Sequence, residues 1–143
     1  MSEPITGASV IFDPLEFQGQ CLAWQRLGAR VGMVPTMGAL HEGHLSLVRL
    51  CRQHCDRLVV SIFVNPTQFS PGEDFERYPR TLDSDVAALN SVGVDAVLAP
   101  SPREMYGPGF STVVQPAKVA QTLEGQFRPS HYQGVTTVVA KLL

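Results

Sequence analysis

Four adjacent residues, His41, Glu42, Gly43 and His44, hold the densest chemistry in this sequence. The two imidazoles stand three residues apart, close to one turn of an α-helix, so both can face one ligand. Gly38 and Gly43 permit a backbone approach that a Cβ would obstruct. Side-chain N–H groups aimed at phosphate suit nucleotidyl transfer, in which negative charge spreads over the oxygens during displacement at the α-phosphorus. As a bare pattern H-x-G-H is weak, because two surface histidines would satisfy it by chance. Its weight comes from its place between a short apolar run and a helical periodicity. Unpaired amides and the dipole at a helix N-terminus both favour an anion there.

The elements that must position these residues follow from the hydrophobic pattern. Asp13 and Pro14 start a helix as cap and first residue, with Glu16 three positions after the cap and Gly28 as the stop after Leu27. Residues 31–34 are a buried strand. A turn-rich segment leads to a second helix beginning near Gly43 or His44, with Leu47, Leu50 and Cys51, and Leu45 and Val48, at helical spacing. Residues 58–64 are the next strand, rich in β-branched side chains and parallel to the first through the helical crossover. Thr81 caps a third helix whose face is Leu82, Val86 and Leu89 and whose stop is Gly93; residues 94–99 are a third strand. This order predicts an α/β fold, a Rossmann-like doubly wound parallel sheet. Past Pro100 a short strand over 111–114 and a short helix over 116–123 are expected. Residues 135–143 are apolar and stop without a cap, which reads as an element cut short.

Composition excludes several function classes. With 44% hydrophobic and 17% charged residues the chain is globular rather than disordered. A net charge of −2 without like-charge runs lacks the footprint of a nucleic-acid binder. No apolar stretch is long enough for a membrane span, and the first residues do not resemble a secretory signal. Cys21, Cys51 and Cys55 are too sparse for a disulfide framework, so the expected setting is cytoplasmic. Cys51, His54 and Cys55 offer only three candidate ligands and read as a helix packing face, so no resident metal site is assigned. The lone Trp24 reads as core.

The sixteen residues 65–80 are long for a connection inside an α/β domain, and such loops are usually functional or disordered. On its own Gln68 is a solvated loop residue, though its amide offers both donor and acceptor. Asn65 reads as turn chemistry. Arg128 and His131 frame a Pro-Ser turn, and read most plainly as polar residues at a helix N-terminus.

A resemblance changes their meaning. PTMGALHEGHLSLV (35–48) is similar, nearly residue for residue, to the signature of the pantothenate synthetase family, and SIFVNPTQF (61–69) to its second block. GED (72–74), YPRT (78–81), LEG (123–125), RPSH (128–131) and GV (134–135) fall in the same order, so the likeness runs from about Val31 to the end. The family belongs to the H-x-G-H nucleotidylyl-transferase superfamily, related to cytidylyltransferases and class I aminoacyl-tRNA synthetases. The resemblance implies that pantoate attacks ATP with Mg²⁺ present to give pantoyl adenylate and pyrophosphate, and that β-alanine then displaces AMP. It implies an ATP-binding turn of Met37, Gly38, Ala39, Leu40, His41, Glu42, Gly43 and His44, with His44 catalytic and His41 assisting.

By the same resemblance Gln68, with Asn65, contacts pantoate and β-alanine, and Arg128 and His131 lie near that pocket. Val135, Val138 and Val139 are candidate lining for pantoate's gem-dimethyl group. Tyr78, Asp83 and Asp85 fall where the family has an aromatic and acidic cluster near ATP and magnesium, with Ser84 interrupting it. A homodimer is implied as well. The family's later blocks, a Gly-Glu-Lys-Asp segment and an arginine loop over ATP, do not occur here, so residues 1–143 are expected to be an N-terminal nucleotide-binding domain, inactive alone. The alternatives are a non-catalytic nucleotide-binding or dimerisation module, or a cytidylyltransferase, which would lack the second block.

Overall fold

Asp13 begins the first helix by the chemistry its position suggests. Its carboxylate accepts from the Leu15 and Glu16 amides at 2.7 and 3.3 Å, and Pro14 opens α1 (Pro14–Arg26). Together they satisfy or remove donors that a helix start leaves unpaired. The computed structural model describes residues 7–143. They divide into two units: one runs up to Phe63 and resumes over Pro79–Ser101, and the other comprises Val64–Tyr78 and Pro102–Leu143.

The first unit holds a parallel sheet of β1 (Ser9–Ile11), β2 (Val31–Thr36), β3 (Arg57–Ile62) and β4 (Ala96–Leu98), in the order β1-β4-β3-β2. From β1 the chain crosses through α1 to the far edge. It then walks back through α2 (Glu42–Arg52) and α3 (Leu82–Ser91). Right-handed crossovers in opposite directions put α1 on one face and α2 and α3 on the other, which is the doubly wound arrangement expected. The core agrees: Val48 of α2 and Leu89 of α3 pack with Val34, Leu58, Val60 and Val97. In register Val34 pairs with Val60 and Val60 with Val97, so these side chains share one face.

Several expectations are corrected here. β1 went unread because three residues give no usable period. Leu47 and Leu50 are about half exposed, and the buried stripe of α2 is Leu45, Val48 and Cys51. Cys51 and Cys55 pack their sulfurs over Gly32, where an added Cβ would stand 2.7 and 2.8 Å from them. Trp24 is half-buried, with the Arg57 guanidinium 5.5 Å from its ring centroid, rather than core. Thr81 makes no side-chain cap; its hydroxyl donates instead to Asp85.

The second unit contains a 3₁₀ turn (Pro66–Gln68), α4 (Pro102–Met105), a second 3₁₀ turn (Lys118–Gln121), α5 (Glu124–Phe127) and α6 (His131–Leu142). Residues 111–114 are not a strand. The Val114 amide donates to Thr137 Oγ1 and its carbonyl accepts from Thr136 Oγ1, so α6 side chains satisfy this backbone in place of a sheet. The helix expected over 116–123 shrinks to the second 3₁₀ turn. Gly134 lies against the first 3₁₀ turn, where a Cβ would meet the Thr67 carbonyl oxygen at 2.5 Å. Gly134→Ala is therefore expected to destabilise the protein by about 1–3 kcal/mol, measured by urea unfolding. An unchanged midpoint would show that this contact yields freely.

Candidate active site

Past β2 the chain turns sharply, with Gly38 at φ +79° and Ala39 at φ +50°. Two consecutive left-handed residues, one bearing a Cβ, need outside support. Asp85 provides it from α3. Its Oδ2 accepts from the Ala39 amide and its Oδ1 from the Leu40 amide, each at 2.9 Å, and Thr81 Oγ1 donates to Oδ2 at 3.1 Å. The residue is 4% exposed. Thr36 Oγ1 accepts from the Gly38 amide and donates to the Ser61 carbonyl, tying the turn to β3. A Cβ on Gly38 would lie 3.1 Å from Asp85 Oδ2, a second reason for glycine there.

His41 then caps α2 in extended conformation. Its Nδ1 accepts from the Gly43 amide at 3.0 Å, while His44 Nδ1 accepts from the His41 amide at 3.2 Å. This is a reciprocal capping box built from two imidazoles. An Nδ1 that accepts carries no proton, so each neutral ring holds its hydrogen on Nε2. The ring centroids are 4.1 Å apart. The arrangement offers two Nε2–H donors at a helix start, a set suited to phosphate oxygens.

Burial holds the His44 pKa below the usual imidazole value, and His41 lowers it further, against a smaller opposing pull from Asp85. The fold thus favours neutral His44. Its stabilising contribution is fully present above the ordinary value of about 6.5 and is lost as pH falls through the depressed one. An NMR titration is expected to give a His44 midpoint below that ordinary value. A midpoint above it would contradict the cap.

The second unit gathers Asn65, Gln68, Arg128 and His131. Asn65 is fully buried. Its Nδ2 donates to Gln68 Oε1 at 2.9 Å and the Gly134 carbonyl at 3.1 Å; its Oδ1 accepts from the Thr67 amide, Thr67 Oγ1 and Tyr106 OH. The Asn65 amide is used inside the protein, where it orients Gln68. With Oε1 turned to Asn65, Nε2 is the opposite end of the Gln68 amide. Arg128 forms a two-pronged pair with Glu73 (Nε to Oε1 2.7 Å, Nη2 to Oε2 2.6 Å) and also donates to the Gln68 carbonyl at 2.9 Å. That pairing holds the Glu73 carboxyl below the usual range. His131 Nδ1 lies 3.1 Å from the same carbonyl, so it carries the proton and donates. Arg128 and His131 thus both brace the Gln68 backbone.

The model of the pantoate–β-alanine ligase family matches residues 9–143. The chain belongs to that family. It is 57% identical to a pantothenate synthetase of Cereibacter sphaeroides over 127 residues, covering 89% of this chain and 46% of the relative. It is 51% identical to that of Caulobacter vibrioides over 138 residues, covering 96% and 48%. Among solved structures, the pantothenate synthetase of Thermus thermophilus aligns with a TM-score of 0.86 at 47% identity, over 94% of this chain and 47% of its own. The pantoate–β-alanine ligase of Francisella tularensis, complexed with β-γ ATP and β-alanine, aligns with a TM-score of 0.87 at 39% identity, over 96% and 52%. The chain thus spans about half the length of the relatives it matches.

The acidic and aromatic residues expected near the nucleotide have distinct local settings in this family member. Asp85 is buried and faces the turn, while Asp83 is exposed in the first turn of α3. Tyr78 stacks edge-on against Phe69, whose ring also meets Phe75. Val138 is buried, and Val135 and Val139 are half-buried along α6. Sequence reasoning missed Glu73, 55 residues from its arginine, and the Asp85 grip on the turn. The one signal for the latter was Thr81, four residues before Asp85 and so on the same helix face.

Proposed function

We propose that this chain is the N-terminal, nucleotide-binding domain of an ATP-dependent ligase that condenses (R)-pantoate with β-alanine to pantothenate, releasing AMP and pyrophosphate. The observation that carries this reading is the reciprocal histidine cap. It uses both Nδ1 atoms as acceptors and so leaves two Nε2–H donors at the start of α2, in a chain belonging to the pantoate–β-alanine ligase family. Pantoate's carboxylate attacks the α-phosphorus and pyrophosphate leaves; the β-alanine amine then attacks the acyl carbon and AMP leaves. In the first step His44 and His41 donate to the phosphate oxygens as negative charge gathers on them. The turn from Met37 to His44, including Glu42 and Gly43, receives the nucleotide. Gln68 offers its amide to pantoate and β-alanine, held by Asn65 and braced by Arg128 and His131.

ATP is proposed to enter as its Mg²⁺ complex. Among the described residues no group of three or more His, Cys, Asp or Glu gathers as a metal site. The ion is taken to arrive with the substrate, held by its phosphates and water. The proposed setting is the cytoplasm, where thiols such as the free Cys21, Cys51 and Cys55 stay reduced. No helix among the described residues is long and apolar enough to cross a membrane. A homodimer is also proposed, with the exposed Val113 and Val114 as apolar surface for it. Sedimentation is expected to show association, and a concentration-independent monomer mass would contradict it.

The functional test is pyrophosphate release by the chain extended to the length of its relatives. Release is expected only when pantoate and MgATP are both present, with pantothenate forming once β-alanine is added. Nucleotide binding without pantoate-dependent release would instead make this a non-catalytic nucleotide-binding module.

A further inference from the structure

We propose that Asp85 is a positioning residue for adenylate formation: by gripping the Ala39 and Leu40 amides it sets where His41 and His44 present their Nε2–H groups. The proposal rests on the functional reading above. An acidic residue near a nucleotide site suggests a metal ligand, but the geometry is against that. Both carboxylate oxygens receive consecutive backbone amides, Thr81 adds a third donor, and only 4% of the residue is exposed. A group so enclosed acts on the backbone it holds.

That backbone leads directly to the histidines. Ala39 occupies the left-handed region, a conformation that relaxes unless its surroundings fix it. Leu40 follows it and adjoins His41, whose own amide is bound by His44. If the grip on Ala39 and Leu40 loosens, the His41 amide moves and the reciprocal cap opens with it. Misplacement of a catalytic group by about 1 Å is enough to cost ~10²-fold in rate.

The isosteric amide cannot substitute. Asparagine keeps one acceptor oxygen but sets an NH₂ group against the other backbone N–H, donor against donor. Asp85→Asn therefore removes the grip while leaving size and packing nearly unchanged. Thr81→Val is the milder variant, removing one donor to Asp85 and neither amide contact.

Both variants are to be made in the chain extended to the length of its relatives. Turnover is counted per folded molecule, with the folded fraction read from circular dichroism, so that loss of folded protein does not register as loss of rate. The tautomers of His41 and His44 are read from ¹⁵N imidazole spectra. Asp85→Asn is expected to lower kcat ~10²-fold with a smaller change in KM for ATP, and to mix both tautomers where the parent shows Nε2–H alone. Thr81→Val should lose about threefold to tenfold. A folded Asp85→Asn protein with parental kcat and tautomers overturns the proposal. So does a loss of rate with parental tautomers that excess Mg²⁺ restores, since Asp85 would then be a metal ligand. Should Asp85→Asn fail to fold, Thr81→Val decides, and parental values in both readouts overturn the proposal. If the parent itself makes no pantoyl adenylate, the functional reading fails, while the imidazole spectra still report whether Asp85 holds the histidines.

Discussion

Replacing His44 by alanine is expected to lower pantoyl-adenylate formation ~10²–10³-fold, the usual effect of removing one preorganised donor to developing charge. The substitution takes away the Nε2–H group and also the Nδ1 acceptor that holds the His41 amide at 3.2 Å. Part of the loss would then come from a frayed start of α2, since a lost cap is worth about 1 kcal/mol. His44→Gln separates the two effects. Glutamine at this third helical position can reach back to the His41 amide, as in an ordinary capping box. It restores the cap and not the imidazole donor. Both variants are expected to fold, with the glutamine variant nearer the parent in thermal stability and still slow in turnover. The measurement is pantoate-dependent pyrophosphate release at saturating substrates. A rate unchanged in His44→Ala would remove His44 from the reaction.

The fold was legible where local chemistry decides local structure. Asp13 and Pro14 start α1 as their types require, and the β-branched run around Val59 and Val60 forms the buried strand it suggests. The strand–turn–helix order around Gly38 could be read because a strand, a glycine turn and a helix start lie consecutively in the chain. Legibility failed where a position depends on a partner far away in sequence. Residues 111–114 have strand-forming side chains, yet the groups that satisfy them are threonines of α6 more than twenty residues on. Leu47 and Leu50 fit a helical period, but the sheet covers a stripe narrower than the period allows, and Val48 takes the centre of it. The Asp85 carboxylate meets amides 45 and 46 residues earlier. No spacing rule connects them; only the return of the chain through β3 and α3 does.

Gln68→Ala is expected to weaken pantoate capture by about 1–3 kcal/mol, the range for leaving a desolvated polar group of the ligand without its partner, or roughly 5- to 150-fold. The reason lies in how firmly the amide is set. Asn65 donates to Gln68 Oε1, Arg128 and His131 donate to the Gln68 carbonyl, and Glu73 holds Arg128 in place through both oxygens. An amide fixed at oxygen and backbone presents its remaining Nε2 hydrogens in one direction, and that preorganisation makes its removal costly. ATP affinity should stay near the parental value, because the turn and helix start assigned to the nucleotide belong to the other unit. Asn65→Ala is the informative contrast. It strips five hydrogen bonds from a fully buried position, so it should lower unfolding stability as well as pantoate affinity. Calorimetry of pantoate and of ATP on both variants, beside thermal unfolding, separates the roles. Gln68→Ala should change one ligand and lose only the one hydrogen bond from Asn65, whereas Asn65→Ala, losing all five, should lower pantoate affinity and cost clearly more stability. Equal losses for ATP and pantoate in a stable Gln68→Ala protein would show that this amide does not belong to the acid's side of the reaction.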